Sequence, residues 1–138
     1  DEIDRYLAKI SGPLLDRIDL HLEVPAVSYD ELQQRSGDGE HSAAVRTRVA
    51  RARTIQAQRG PHWNAYLSEK EVRAAVVLDQ SAEDLLRMAV DRQGFSARAY
   101  HRVLKVARTI ADLAGSDRVA TDHVAEALSY RALERIPE

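Results

Sequence analysis

The sequence predicts a mainly α-helical protein, and three observations predict it. Apolar residues recur at helical spacing through most of the 138 residues, Ser and Thr stand ahead of several of these runs as N-caps, and a single segment alternates as a strand does. With five Tyr, one Trp and one Phe as its only aromatics, the core falls to Ala, Val, Leu and Ile, which favours helices packed closely. The length supports one module, or a module with part of another.

Residues 2–10 (EIDRYLAKI) place Ile3, Leu7 and Ile10 on one helical face, and Ser11-Gly12-Pro13 ends that helix. A helical turn over Leu14 to Arg17 follows. From Ile18 to Val24 (IDLHLEV), Ile18, Leu20, Leu22 and Val24 alternate against Asp19, His21 and Glu23, the pattern of a half-buried strand closed by Pro25. A single strand cannot satisfy its own backbone groups, so it must pair with a segment outside this chain or become an ordered tail. Residues 29–34 read as a short helix, and Ser36-Gly37-Asp38-Gly39 as a flexible loop that marks a boundary.

The rest, residues 40–138, reads as an all-α bundle. A long helix from about Glu40 to Gly60 carries Val45, Val49 and Ala52 on one stripe and stops at Gly60-Pro61. Further helices are expected at 68–76, 81–92, 96–114 and 121–133, with Ser68, Ser81, Ser96 and Thr121 as caps. Ser68 with Glu71 and Ser81 with Asp84 have the spacing of capping boxes. On the helix at 96–114 the expected buried stripe is Ala99, Val103, Val106, Ile110 and Leu113.

Composition excludes several functions. There is no cysteine, so no disulfide framework, thiolate zinc site or cysteine nucleophile exists, and a reducing cytoplasmic setting fits. No apolar run has the length of about 20 residues that spans a bilayer, and Asp1-Glu2-Ile3-Asp4 is unlike the basic start of a signal peptide, so no membrane association is expected. None of the five histidines has a metal-binding partner at helical spacing, Ser96 lies in no nucleophile elbow, and no G-x-x-x-x-G-K-[ST] loop occurs. This chain alone is not expected to hydrolyse a nucleotide.

Charge is distributed unevenly although the net charge is only −2. No acid lies between His41 and Ser68, where Arg46, Arg48, Arg51, Arg53 and Arg59 all fall. Arg46 and Arg53 share one side of the helix. That side is either solvated, with arginine stems covering the Ala/Val stripe, or it faces a nucleic acid or a protein partner. The segment Ser96 to Ala111 carries Arg98, Arg102, Lys105, Arg108 and His101 without an acid. Arg98 sits in the first helical turn, where the macrodipole disfavours a cation. It therefore binds phosphate together with the free N–H groups of that turn, or it pairs with an acid elsewhere. Arg102, on the same basic side, is a second candidate for a nucleotide contact.

Two segments carry a resemblance. Ser11-Gly12-Pro13-Leu14-Leu15-Asp16-Arg17-Ile18-Asp19-Leu20-His21-Leu22-Glu23-Val24-Pro25, with Phe95-Ser96-Ala97-Arg98-Ala99-Tyr100-His101-Arg102 and Ala107-Arg108-Thr109-Ile110-Ala111-Asp112-Leu113 downstream, resembles the carboxy-terminal part of magnesium-chelatase-like AAA+ ATPases of the ComM/YifB type. Asn64-Ala65-Tyr66-Leu67 and the Arg-rich helix match more loosely. The resemblance implies that residues 1–25 end an α/β core, with 18–24 its last strand, that 26–39 link, and that 40–138 form the helical lid. It implies that Arg17 is an arginine finger reaching the neighbouring subunit's γ-phosphate, and that Arg98 is the sensor-2 arginine reading the nucleotide of its own subunit. A local pair with Asp16 or Asp19 is the structural alternative for Arg17.

The same resemblance implies ATP and Mg²⁺ as cofactors of the whole protein. Its partners would be the preceding core, neighbouring subunits in a hexameric ring, and DNA undergoing branch migration in natural transformation. Two rivals remain at the level of sequence. One is a free-standing helical nucleic-acid-binding module built on the helices at 81–92, 96–114 and 121–133, against which the acidic pI of 6.2 argues. The other is an ATPase subunit of a true magnesium chelatase.

Overall fold

The computed structural model describes residues 12–29 and 39–131 of the chain. The helices expected at 2–10 and, past Tyr29, at 29–34 lie outside the described residues, as does the end of the one expected at 121–133. Six α-helices are described: α1 (Gly12–Leu15), α2 (Ser42–Arg59), α3 (Glu69–Ala75), α4 (Gln80–Gln93), α5 (Ala97–Ala114) and α6 (Thr121–Ser129), with a 3₁₀ turn at Asn64–Tyr66 between α2 and α3.

Local chemistry sets most of the helix ends. Ser68 caps α3 in a reciprocal box: its hydroxyl accepts the Glu71 N–H, and Glu71 Oε2 accepts the Ser68 N–H at 2.7 Å. Hydrogen bonds from the Ser68 hydroxyl and from His62 hold the Glu71 carboxyl down to about 2. Ser96 caps α5 by accepting the Ala99 N–H at 3.1 Å. Two expected caps shift. Asp79, not Ser81, caps α4 by accepting the Ala82 N–H at 2.7 Å, because a carboxylate two residues earlier reaches the same orphan donors. At α6 the helix starts at Thr121 itself, and the His123 ring accepts the Ala120 N–H at 3.0 Å. Gly115, at φ 70°, ends α5 in the left-handed region, and a Cβ there would meet the Arg51 guanidinium at 2.9 Å.

Helix α5 runs through the centre, with α2, α3, α6 and the 3₁₀ turn packed against it, and α4 packs against α6. The core gathers Val72, Ala82, Leu86, Val103, Leu104, Ala107, Ala111, Val119, Val124 and Ala127, and a parallel bridge between Leu78 and Val119 ties the loop after α3 to the loop before α6. The small residues of this list let the helices approach closely, as the composition implies. The buried stripe of α5 is rotated from the expected one: Ala99 and Val103 are buried, but Leu104, Ala107, Arg108, Ala111 and Asp112 complete it, Val106 and Ile110 lie at its edge, and Leu113 is exposed. Apolar periodicity misses this because two of the buried side chains are charged.

Residues 18–24 form no strand. Ile18, Leu20, Leu22 and Val24 are all exposed, Val24 at 86%, while the polar His21 between them is buried. No strand among the described residues lies alongside to complete a ladder, so the backbone is held piecewise: the His21 N–H donates to the Tyr130 carbonyl at 2.7 Å, and Arg131 donates to the Ile18 carbonyl at 2.7 Å. The stripe on α2 is also only partly used. Ala52 and Gln56 are buried, but Val45 and Val49 are exposed, as is every residue of the first two turns.

Candidate functional site

Helix α5 presents its basic side to a groove of about 700 Å³ whose lining includes Arg98, His101, Arg102, Lys105 and Thr109 over an apolar floor of Leu67, Val106 and Ile110. Arg98 stands in the first turn of α5, exposed and without a hydrogen-bond or ion-pair partner among the described residues. The acid elsewhere that sequence alone leaves open for it is not found among them. Three orphan N–H groups and an unpaired guanidinium thus converge at one helix end, an arrangement that favours an anion.

Arg102 is placed differently. One turn beyond Arg98, it pairs with Asp19, its side chain only a quarter exposed. His101 approaches Glu69 at 3.7 Å and stacks edge-on with Tyr100, and Lys105 donates to the Ala65 carbonyl at 3.1 Å. Arg108, counted among the exposed cations by sequence, is buried: it pairs with Asp112 and donates to the Ser116 and Asp117 carbonyls. Burial pushes its pKa down, against the attraction of Asp112.

Arg17 lies on the turn after α1. The local ion pair available to it does not form, because both flanking acids are engaged elsewhere. Asp16 accepts from Ser96 Oγ at 3.0 Å and stands 3.7 Å from Arg131, and Asp19 pairs with Arg102. The Arg17 guanidinium is exposed and donates only to the Pro13 carbonyl four residues back, at 3.1 Å. Beside it His21 donates from Nε2 to the Leu15 carbonyl at 3.3 Å, and burial together with the nearby Arg131 charge pushes its pKa below the usual histidine value.

The Arg-rich helix α2 resolves into separate roles. Arg59 joins Asp112 and Asn64, Arg48 pairs with Glu40, and Arg53 lies over the Trp63 ring at 4.6 Å. Arg46 is exposed without a partner among the described residues. Asn64 and Asp112 stand in the motifs quoted above, but sequence assigned neither a partner and did not single out Arg131; Arg59, Asn64 and Asp112 meet from different elements, and the local signal was the i, i+4 spacing of Arg108 and Asp112. Among the described residues no three His, Asp or Glu side chains gather as a metal site would need, and no helix is long and apolar enough to cross a membrane.

Residues 39–131 match the family model described as magnesium chelatase, subunit ChlI C-terminal, and residues 1–32 match magnesium chelatase, subunit ChlI. The competence protein ComM of Haemophilus influenzae is 47% identical over 135 residues, 98% of this chain and 26% of that protein. The uncharacterized protein YifB of Escherichia coli is 43% identical over 132 residues, 96% of this chain and again 26% of the relative. The chain spans about a quarter of the length of these curated relatives. With one family model covering most of its length, the chain belongs to the magnesium chelatase ChlI C-terminal family, in its ComM/YifB-like branch.

Proposed function

We propose that this chain is the helical lid, with the adjoining end of the core, of an AAA+ ATPase. In this reading Arg98 binds the γ-phosphate of ATP held by its own subunit, and Arg17 projects to the nucleotide of the neighbouring subunit in a hexameric ring. The observation that carries it is Arg98 itself: an unpaired cation in the first turn of an 18-residue helix, where the macrodipole opposes it unless an anion is present. The phosphate-binding loop and the acids that hold Mg²⁺ belong to the preceding core, since no such loop occurs in these residues. What this chain supplies is charge opposite the phosphates as negative charge redistributes in the transition state.

The substrate of the whole motor is read as DNA, through branch migration during natural transformation. The relative named as a competence protein and the Arg46–Arg53 side of α2, with Trp63 stacked beneath Arg53, support that reading. A magnesium chelatase subunit is the alternative within the family. DNA-stimulated ATP turnover that falls steeply with salt separates the two.

The test of the nucleotide assignment uses the intact protein. Arg98→Ala should weaken ATP binding or slow turnover by at least about tenfold while the lid keeps its thermal midpoint. Unchanged binding and turnover would sink the assignment, and a collapsed midpoint would make Arg98 a structural residue.

A further inference from the structure

The two acids that flank Arg17 both cross to the helix that carries Arg98. Asp16 accepts from Ser96 Oγ at 3.0 and 3.2 Å, and Ser96 is the N-cap of α5. Asp19 pairs with Arg102, one turn past Arg98 on the same helix. Each candidate arginine is therefore bracketed: Arg17 by Asp16 and Asp19, Arg98 by Ser96 and Arg102. The segment is also held at the end of α6, where Arg131 donates to the Ile18 carbonyl and stands 3.7 Å from Asp16, and the His21 N–H donates to the Tyr130 carbonyl, so its course is set by the lid and not by a β-ladder among the described residues.

These bonds are not core packing. Asp19 is about half exposed and Asp16 about a quarter exposed, so the pairs are screened by water and add little to stability. Their geometric effect is larger. Helix α5 is a rigid rod over 18 residues, and two attachment points about one and a half turns apart fix both the distance and the twist of the attached segment. Movement of the first turn of α5 relative to the end of α6 then turns residues 16–19, which are tied to both.

We propose that the Asp16–Ser96 and Asp19–Arg102 contacts are a two-point brace that sets the direction of Arg17 from the position of α5. Asp16, Asp19, Ser96 and Arg102 are then positioning residues, through which the nucleotide state of one subunit is passed to the arginine that serves the next. This rests on the reading of Arg17 and Arg98 given above. Misplacing a positioned group by about 1 Å can cost on the order of a hundredfold in rate, so a slack brace should show in turnover before it shows in stability.

The test exchanges charges in the intact, ring-forming protein: Asp19→Arg, Arg102→Asp, and the two together, with kcat, KM, the Hill coefficient for ATP and nucleotide affinity measured for each. Each single variant should lower kcat about tenfold and bring the Hill coefficient toward one, with nucleotide affinity changed less than about twofold in Asp19→Arg, and the double variant should restore most of kcat and cooperativity. Wild-type kcat and cooperativity in the singles would overturn the brace. So would a double variant no better than the singles, the result expected if Arg102 touched nucleotide directly. Asp19→Asn, a mild change at an exposed carboxylate, should move the same quantities in the same direction if a charge reversal prevents folding. Arg17→Ala and Arg98→Ala run alongside: if they leave turnover intact, the underlying reading fails, and if they abolish it while the brace variants behave as wild type, the brace alone fails.

Discussion

Two arginine–carboxylate clusters in this molecule differ in depth. Around Asp112, whose side chain is wholly buried, Arg59, Asn64 and Arg108 converge and join α2, the 3₁₀ turn, α5 and the loop at 116–117. Around residues 16–21, Asp16 and Asp19 hold Ser96 and Arg102 at partly exposed positions and leave Arg17 and Arg98 without carboxylate partners. Burial opposes the charged form of Asp112, but the hydrogen bonds from Arg59 and Asn64 and the charge of Arg108 outweigh it and hold the carboxyl below its usual range. The difference teaches that a desolvated cluster in which each side chain is paired acts as a lock, whereas a solvated one can position cations it does not neutralise.

The sharpest way to break the comparison is at Arg17. If Arg17 is the arginine finger proposed above, Arg17→Ala in the intact protein should lower ATP turnover on the order of a thousandfold or more while nucleotide affinity stays nearly unchanged, because such a residue acts on the transition state. Rings mixed from wild-type and Arg17→Ala subunits should lose activity more steeply than the mutant fraction. Turnover near wild type would place both clusters in the structural class.

Next in size is Asp112→Ala, which leaves Arg59 and Arg108 facing an empty buried position and should cost about 3–5 kcal/mol, read by denaturant titration. A loss below about 1 kcal/mol would show that the network is not a lock.

Acid should open the two clusters in order. His21 has a folded pKa below 6.5, so its neutral, buried form stabilises the junction fully above that value and loses this contribution as pH falls toward the lower folded value. Asp112, depressed below 3.8, contributes fully above 3.8 and loses its contribution only as pH falls through its lower folded value. Protection of the His21 amide should therefore fall as pH drops below 6.5, before that of the α5 interior, and His21→Gln should abolish the early step. Simultaneous opening would mean that junction and core are one cooperative unit.

Two smaller effects sharpen the picture outside both clusters. Ser68→Ala removes the α3 cap and should cost about 1 kcal/mol by thermal denaturation. Arg53→Ala removes the guanidinium over Trp63 and should cost about 0.5–1 kcal/mol with a change in Trp fluorescence. A much larger loss at either site would mean that the segment from Trp63 to Ser68 carries more of the fold than its exposure indicates.

Much of the helical architecture was legible in sequence because its signals are local. The Ser68 box, the Ser96 cap and the stop at Gly60 all act within about four residues, and α2, α3 and α5 begin and end within about two residues of the expected positions. The stripe of α5 was less legible, since Arg108 and Asp112 are buried only by virtue of Arg59 and two loop carbonyls. The segment at 18–24 has the alternation of a strand but no adjacent strand among the described residues, and alternation without a ladder does not make one.

At the candidate site, the sequence by itself determined which cations exist and where two of them stand along the chain: Arg98 in the first turn of a helix that Ser96 starts, and Arg17 between two acids. Only the tertiary structure decided which of the cations stay free. Asp16 and Asp19 could have paired with Arg17 and instead reach Ser96 and Arg102, 80 and 83 residues away, while Arg59 and Arg108 are drawn into the interior by Asp112. Pairing of charges depends on distance and dielectric, which packing sets, whereas capping and helical spacing depend on backbone geometry, which neighbouring residues set.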